Sequence, residues 1–332
     1  MPMDRRSFSL VGALAGGLIA LALAAGSTMA ATPYRVPHMP WGSPDLEGAW
    51  TAFARTPLER PDGVGSLTLP DADATALEEK LNRRIIHPAD DPFGQGESEW
   101  YPDAHLARID GLARTSWIVS PADGRVPYRP EARRLFNAGR ARQTHGFDNP
   151  EDRPPQEQCL IGTRGVSGPP MLSALFPTNF RIVQTAQAVA ILSEVNHDVR
   201  IVRLNASHLP AAIRPWMGDS IGRWEGQTLV VETTNFNPRD HFHVQFELSP
   251  NTRIVERFTR VSPTEIFYEF SVEDAGLYTS VWRGEIPLMA SKDPVYEVAC
   301  HEGNYSMAGV LAGARQDEAK AAVKAGAVGG PK

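Results

Sequence analysis

Hydrophobic and polar positions alternate in short runs over the second half of the chain. Runs rich in valine, isoleucine, threonine and aromatic residues are separated by turn residues, which predicts strands. Consecutive short strands without long helices between them favour an antiparallel meander, and closing such a sheet removes its exposed edges. We therefore predict a mainly β protein whose residues 161–311 form an antiparallel up-and-down barrel or a curled sheet. The eight predicted strands span residues 180–185, 188–194, 199–204, 228–236, 252–261, 265–273, 278–287 and 296–300.

The region before the predicted strands, residues 31–160, is rich in proline, charged residues and turn signals. This pattern predicts loops packed on the barrel, with one helix from Asp71 to Ile86 that begins with acidic capping residues. Its apolar positions recur at helical intervals, namely Ala74, Leu77, Leu81 and Ile85. At the other end of the chain, residues 312–332 are low in complexity, which predicts a disordered tail.

The first 30 residues have the pattern of an export signal. Arg5 and Arg6 precede an apolar run from Val11 to Ala25, and small residues follow it up to Ala30. The paired arginines predict the twin-arginine route, with its export machinery as a partner, and cleavage near Ala30. The run is about 15 residues long, whereas a helix needs about 20 to cross a bilayer. We therefore expect a mature chain in the periplasm or outside the cell, without stable membrane insertion; the alternative is an uncleaved anchor.

Charge narrows the classes of partner. Without residues 1–30 the chain holds 31 basic and 38 acidic residues, a net charge of about −7. An acidic chain without a lysine and arginine cluster lacks the positive surface that nucleic acids and anionic membranes attract. The glycine-rich fingerprints of dinucleotide and nucleoside triphosphate sites do not occur in the sequence, and neither does a haem attachment motif. The composition thus predicts no nucleic-acid partner and no bound cofactor.

The sequence contains two cysteines, Cys159 and Cys300. In an oxidising compartment two distant cysteines predict a long-range disulfide. Two separate buried thiols are the alternative, because the spacing excludes a CxxC redox or zinc motif.

Three segments resemble a family of exported bacterial proteins of unassigned function. They are Pro44-Asp-Leu-Glu-Gly-Ala-Trp50, the long segment of residues 216–236 that contains Gly-Asp-Ser-Ile-Gly-Arg-Trp-Glu-Gly, and Ala299-Cys-His-Glu-Gly-Asn-Tyr305. The resemblance covers most of the mature chain and implies export, but no activity. Family members usually have a glycine- and serine-bearing loop where this chain has residues 241–247. Gly48-Ala49-Trp50 also resembles the Gly-x-Trp with which lipocalin-like barrels begin.

One short motif resembles the nucleophile elbow of serine hydrolases. Gly218-Asp-Ser220-Ile-Gly222 matches Gly-x-Ser-x-Gly, in which the serine lies between a strand and a helix. Here a predicted strand follows instead of a helix. The motif therefore favours a tight turn in which Asp219 or Ser220 bonds neighbouring backbone amides.

A second motif has the spacing of a metal site. His241 and His243 lie two residues apart, on one face of an extended strand, and Glu247 follows close by. This set resembles the first motif of cupins and would suit zinc, copper or iron. The alternative is a solvated loop that holds two histidines. We therefore expect no cofactor, with a transition metal as the one possibility that the sequence leaves open.

Proton-transfer groups are frequent at the ends of the predicted strands, where barrel pockets form. Glu194 and His208 belong to this dispersed set, and some members would only form structural ion pairs. The candidates for catalysis are His301, Asp219, His197, Asp198, Arg223 and Tyr305. The candidates for ligand binding are Trp216, Trp224, Arg214, Glu232 and Glu302.

These observations leave three hypotheses for the function. The first is a cofactor-independent acid/base enzyme of the isomerase, dehydratase or lyase type that acts on an apolar small molecule in a barrel pocket. The second is a non-catalytic binding protein for an apolar ligand. The third is a metal-dependent enzyme that uses the His241, His243 and Glu247 set.

Two glutamates lie within otherwise apolar strands. Glu256 shares its face with Ile254 and Phe258, and Glu232 shares its face with Val230. A carboxylate that points into a barrel is costly unless it is paired, and an unpaired one would have a raised pKa. The sequence does not settle which of the two faces inward.

Overall fold

The computed structural model describes residues 34–86, 102–145, 147–162, 166, 168–173, 178–239, 245–303 and 305–328, so the predicted signal segment lies outside the described residues. The strands of the described part are β1 (Gly48–Thr51), β2 (Thr68–Leu69), β3 (Arg108–Ile109), β4 (Leu112–Arg114), β5 (Ile118–Ser120), β6 (Asn179–Gln184), β7 (Ala188–Ser193), β8 (Val199–Leu204), β9 (Asp219–Glu225), β10 (Thr228–Thr234), β11 (Arg253–Ser262), β12 (Glu265–Glu273) and β13 (Trp282–Ala290). Its α-helices are α1 (Asp71–Ile86), α2 (Pro130–His145) and α3 (Ser306–Val328).

Nine of these strands close into a barrel. The order around it is β1 followed by β6 to β13, and β1 closes the ring because it pairs with both β6 and β13. At the closure, Trp50 lies opposite Phe180 on one side and Ala290 on the other. A tenth strand, β5, adds to the outer side of β13. The predicted mainly β barrel is therefore confirmed.

One strand pair departs from the predicted antiparallel pattern. Strands β8 and β9 run parallel, from Val202 opposite Ser220 to Leu204 opposite Gly222, so the barrel sheet is mixed. A two-residue hairpin cannot join parallel strands, and residues 205–218 connect these two instead. Gly222 suits this seam because a Cβ atom there would lie 2.7 Å from the Val202 Cγ1 atom. The motif predicted to be a tight turn thus belongs mainly to β9.

Alternation fills the inside of the barrel with large side chains. Every second residue of the long strands is buried, because successive side chains point to opposite faces. The fully buried aromatic residues include Trp50, Phe180, Phe258, Tyr268 and Trp282. Seven of the eight predicted strands coincide with barrel strands. The eighth, residues 296–300, forms no strand; its Tyr296 N–H donates to the Glu194 carboxylate at 2.9 Å.

An ion pair lies inside this apolar core. Glu256 faces inward and accepts hydrogen bonds from both terminal nitrogens of Arg200, one of them at 2.9 Å. The Tyr268 hydroxyl also donates to Glu256, at 2.8 Å, and accepts from the Met171 N–H at 2.8 Å. Both charged side chains are almost completely buried, and burial together with the Glu256 charge holds the pKa of the Tyr268 hydroxyl far above its usual range. Glu256 is therefore the inward carboxylate, and it is paired.

The region of residues 31–160 contributes more regular structure than the sequence predicts. Helix α1 has the predicted bounds, and it buries Ala74 and Leu77 against the small sheet of β2, β4 and β3. The rest was expected to be loops, yet β1 and β5 join the main sheet and α2 packs through Ala132 and Phe136. Helix α2 has few apolar residues and four arginines over its length, so its periodicity is weak.

A disulfide links the C-terminal part of the chain to the irregular segment that precedes β6. Cys159 and Cys300 are bonded, as predicted, although 141 residues separate them. Helix α3 follows and includes most of the tail that the sequence predicts to be disordered, so that prediction differs from the structure up to residue 328. No helix in the described part of the chain has both the length and the apolar character needed to cross a bilayer.

Candidate functional site

A cleft of about 580 Å3 opens on the outside of the barrel beside the parallel seam. One wall is the first half of β8, where Val199 and Ile201 are 49% and 50% exposed. The opposite wall is the connection between β8 and β9. It includes Leu209, Pro215, Trp216 and Met217. The register of the seam creates the cleft, because β9 pairs with β8 only from Val202 onward.

Charged and polar side chains border the two ends of the cleft. His197 and Asp198 lie at the start of β8, whereas Arg203 and Asp219 lie where β9 begins. The Asp198 carboxylate accepts the Gly162 N–H at 2.6 Å. His197 Nδ1 lies 3.3 Å from the Val298 carbonyl oxygen, which joins this end of the cleft to the C-terminal segment. The cleft thus combines apolar walls with polar ends.

Asp219 is a fully engaged carboxylate. It accepts hydrogen bonds at 2.8 Å from the Arg203 guanidinium, from His208 Nδ1 and from the Leu209 N–H. Burial by itself would raise its pKa, but these three bonds outweigh burial and lower the pKa below the ordinary value. Asp219 therefore stays ionised near neutral pH and holds the connecting segment against β9.

His208 links Asp219 to a second carboxylate. Its Nε2 atom lies 3.3 Å from Glu232, which also accepts from Arg253. The hydrogen bond from Arg253 is the main reason why the pKa of Glu232 is lowered. Both ring nitrogens of His208 thus lie within hydrogen-bond reach of a carboxylate. We call Arg203, Asp219, His208, Glu232 and Arg253 the His208 network.

The His208 network makes the free energy of unfolding depend on pH in the acid range. Asp219 and Glu232 have lowered pKa values in the folded chain, against ordinary values of 3.8 and 4.5. The stability that they contribute is complete above the ordinary values and is lost as the pH falls through the lowered ones. We expect Asp219→Asn to lower stability at neutral pH and to reduce the further loss below about pH 5. Urea unfolding over a series of pH values measures both effects.

The matched control for this prediction is Asp317→Asn, which removes an exposed carboxylate of α3 outside the network. Comparing the two variants separates the network from the general loss of one negative charge. If Asp219→Asn loses as much unfolding free energy below about pH 5 as the unchanged chain, the stabilising role assigned to the Asp219 carboxylate is wrong.

The cleft brings together four of the candidates for catalysis and ligand binding. His197, Asp198, Trp216 and Asp219 all line it, and Glu232 lies next to it within the His208 network. Arg203 and the apolar pair on β8 were missed. Alternation in β8 places Val199, Ile201 and Arg203 on one face, but the sequence alone does not show that this face is open.

The other candidates lie elsewhere. Arg223 bonds Glu225 on the outer face, and Trp224 packs partly buried against the core. Arg214 donates to the Phe236 and Pro250 carbonyls, so it holds a loop. The remaining three are exposed in the C-terminal segment, outside the residues that line the cleft: His301, Glu302 and Tyr305.

Ser220 lacks the setting of a nucleophile elbow. It lies inside strand β9, is buried, and its hydroxyl lies 2.8 Å from the Thr233 hydroxyl. A helix would have to follow it to help stabilise an oxyanion, but β9 continues into a hairpin with β10. Ser220 therefore lies within a strand hairpin and not between a strand and a helix.

The predicted metal set is described only in part. His241 and His243 lie outside the described residues. Glu247 is buried, and its backbone bonds two tyrosine hydroxyls, those of Tyr128 and Tyr278. Among the described residues, no cluster of histidine, cysteine and acidic side chains is placed to hold a metal ion.

Comparison with known proteins adds no assignment. A search of protein families and a search of curated proteins both find no match to this sequence.

Proposed function

We propose that this protein binds a small ligand with apolar groups in the cleft beside the parallel seam. The observation that supports this proposal is the pair of half-exposed side chains, Val199 and Ile201, that faces Trp216 across about 580 Å3. Ligand pockets usually have volumes of about 300–1,000 Å3, apolar walls and a few polar groups. Exposed apolar walls are costly in water, so a ligand that covers them gains affinity.

Binding is favoured over catalysis because the strongest acid/base candidates are already engaged. Asp219 makes three hydrogen bonds, and both ring nitrogens of His208 face carboxylates. A general base needs a position within hydrogen-bond reach of the substrate, together with a pKa near the working pH. A lowered pKa makes Asp219 a weak base.

We further propose that the mature chain acts in the periplasm or outside the cell. The disulfide between Cys159 and Cys300 suits an oxidising compartment. The paired arginines, the short apolar run and the resemblance to exported bacterial proteins all support twin-arginine export.

The proposed binding function is tested with a matched pair of variants. Ile201→Asp places a charge on the cleft wall, whereas Val261→Asp places one at a similarly exposed site on β11. The probe is the fluorescent apolar dye 1-anilinonaphthalene-8-sulfonate, titrated against the folded protein. We expect Ile201→Asp to weaken dye binding at least tenfold and Val261→Asp to leave it unchanged. Equal dye binding in all three proteins, or none in any, would reject the cleft as a ligand site.

An acid/base enzyme is the second candidate function. The observation that favours it is the adjacency of His197 and Asp198 at one end of the cleft. If this hypothesis is correct, an apolar ketone such as 4-phenyl-2-butanone exchanges the hydrogens beside its carbonyl in heavy water faster with the protein present. His197→Ala would abolish that acceleration. If the unchanged protein does not accelerate hydrogen exchange in the ketone, the acid/base hypothesis is rejected and ligand binding remains the proposed function.

A further inference from the structure

Strand β8 has a short open edge within the cleft. Its partner β9 pairs only with residues 202–204, so Val199 and Ile201 extend beyond the seam. The direction of the backbone groups follows from the hydrogen bonds to the chain on the other side. Leu204 donates to the Gln187 carbonyl and Ser193 donates to the Asp198 carbonyl, so even-numbered residues of this stretch face β7. Val199 and Ile201 therefore direct their backbone groups towards the cleft.

Three of these backbone groups have no partner among the described residues. They are the N–H and C=O of Val199 and the N–H of Ile201. An apolar ligand that filled the cleft would cover these groups without replacing the hydrogen bonds they make to water. Burying such a group without a hydrogen-bond partner is unfavourable. A ligand with its own donors and acceptors at strand spacing avoids that cost.

We propose that the cleft binds an extended segment of a partner polypeptide, which adds to β8 as a short strand. This proposal rests on the proposed function of the cleft and specifies the class of ligand. Strand addition uses main-chain hydrogen bonds for affinity and alternate side chains for specificity. Here the peptide backbone pairs with Val199 and Ile201, in the place that β9 occupies further along β8.

The side chains around the edge define the peptide further. Val199 and Ile201 lie two residues apart on the outer face, and both are about half exposed. An added strand places its own alternate side chains beside them, about 4.7–4.9 Å away. Apolar groups at those alternate positions cover the exposed surface, while Trp216 covers the ligand from the opposite wall. The ligand is thus a peptide with apolar residues at every second position.

The probe is the peptide acetyl-Thr-Val-Thr-Val-Thr-amide, compared with two methylated forms. One form has both valine nitrogens methylated, and the other has the second and third threonine nitrogens methylated. Both add the same apolar mass, but each removes the N–H groups from one side of the peptide only. In strand addition only one side faces β8, because successive residues direct their backbone groups to opposite sides.

We expect the unmethylated peptide to bind with a Kd below about 1 mM, measured by titration calorimetry. One methylated form should bind at least tenfold more weakly and the other nearly as well as the parent peptide. The methylated form that binds weakly identifies which N–H groups face β8. With the valine side chains on the outer face, this also shows whether the peptide runs parallel or antiparallel to β8. Equal binding of both methylated forms, or no binding of the parent peptide, would overturn the proposal.

A variant of the protein tests the same hydrogen bonds from the other side. Ile201→Pro removes the N–H that faces the cleft, and edge positions of this kind tolerate proline because no ladder bond is lost. Ile201→Ala is its control, since it shortens the side chain and keeps the N–H. We expect the proline variant to bind the peptide at least tenfold more weakly than the alanine variant. Equal peptide binding in the two variants would contradict strand addition.

The dye titration separates this proposal from the proposed function. If the dye binds and responds to Ile201→Asp while the peptide does not bind, the cleft is a ligand site and the peptide assignment is wrong. If neither binds, both are wrong. Light scattering tests whether a second copy of the chain occupies the edge. If the protein is self-associated and the peptide converts it to monomers, the natural occupant is another copy of this chain. That result would also overturn the assignment to a different partner.

Discussion

Replacing Glu256 with leucine lowers the free energy of unfolding by about 3–5 kcal/mol. The reason is that Arg200 then stays inside the barrel with its charge unpaired. Its side chain is 2% exposed and bonds Glu256 through two nitrogens, so no water is available to replace the carboxylate. Urea unfolding at neutral pH measures the loss, and the midpoint shifts without a change in slope if the denatured state is unaffected.

A double-mutant cycle shows whether pairing is the cause. Arg200→Met combined with Glu256→Leu leaves no buried charge, and such apolar replacements are often neutral or stabilising. The double variant should therefore be more stable than either single variant. The Tyr268 hydroxyl loses its acceptor in the Glu256→Leu variant and in the double variant. That loss therefore cancels in the coupling energy calculated from the cycle. Additive losses would show that Arg200 and Glu256 contribute separately and not as a pair.

The exposed pair of Arg257 and Glu225 is the control for this cycle. Its atoms are 2.9 Å apart, much like those of the buried pair, but each side chain is 40% exposed. Exposed ion pairs usually contribute little because solvent screens the charges. We expect Glu225→Gln to leave the unfolding midpoint unchanged, so that burial and not pairing distance accounts for the effect at Glu256.

Removing the disulfide is the second large effect that we expect. Changing both Cys159 and Cys300 to serine should lower the free energy of unfolding by about 2–4 kcal/mol. The bond closes a stretch with a sequence separation of 141 residues, and a long loop restricts the unfolded chain strongly. Reducing the unchanged protein with a phosphine should give the same unfolding curve as the double serine variant.

The double serine variant should also loosen the C-terminal segment locally. Apart from the disulfide, this segment is held by the Tyr296 N–H on Glu194 and by the contact of His197 with Val298. The local signature would be loss of protection from hydrogen exchange at the Tyr296 amide on a timescale on which β11 and β12 stay protected. Unchanged exchange at Tyr296 would mean that these two contacts hold the segment without the disulfide.

The sequence predicted elements whose signal is local. Helix α1 and strand β12 have the predicted bounds, because spacing at 3.6 and at 2 residues is visible within one segment. Strand β9 was missed because its glycines and polar residues resemble a turn, and glycine is needed at residue 222 only because β8 packs beside it. A contact with a strand that is distant in sequence leaves no local pattern.

The residues of the candidate site were likewise predictable in type but not in arrangement. Asp219 and His197 were singled out because their residue types suit proton transfer. Their arrangement depends on the parallel register of β8 and β9, which no turn between them encodes. The partner of Glu256 was unpredictable for a related reason: Arg200 is three strands away around the barrel and 56 residues away in sequence.

The way the barrel closes has a consequence for how the chain folds during synthesis. Strands β6 to β8 and β9 to β13 are each joined by consecutive antiparallel pairings, so they form from neighbouring segments. Strand β1 is made first, yet it needs Ala290 as a partner for Trp50. Pairings of such long range are slow to form because the chain ends must first meet. We expect the two hairpin-rich halves to form early on the ribosome, and the ring to close only after β13 has emerged.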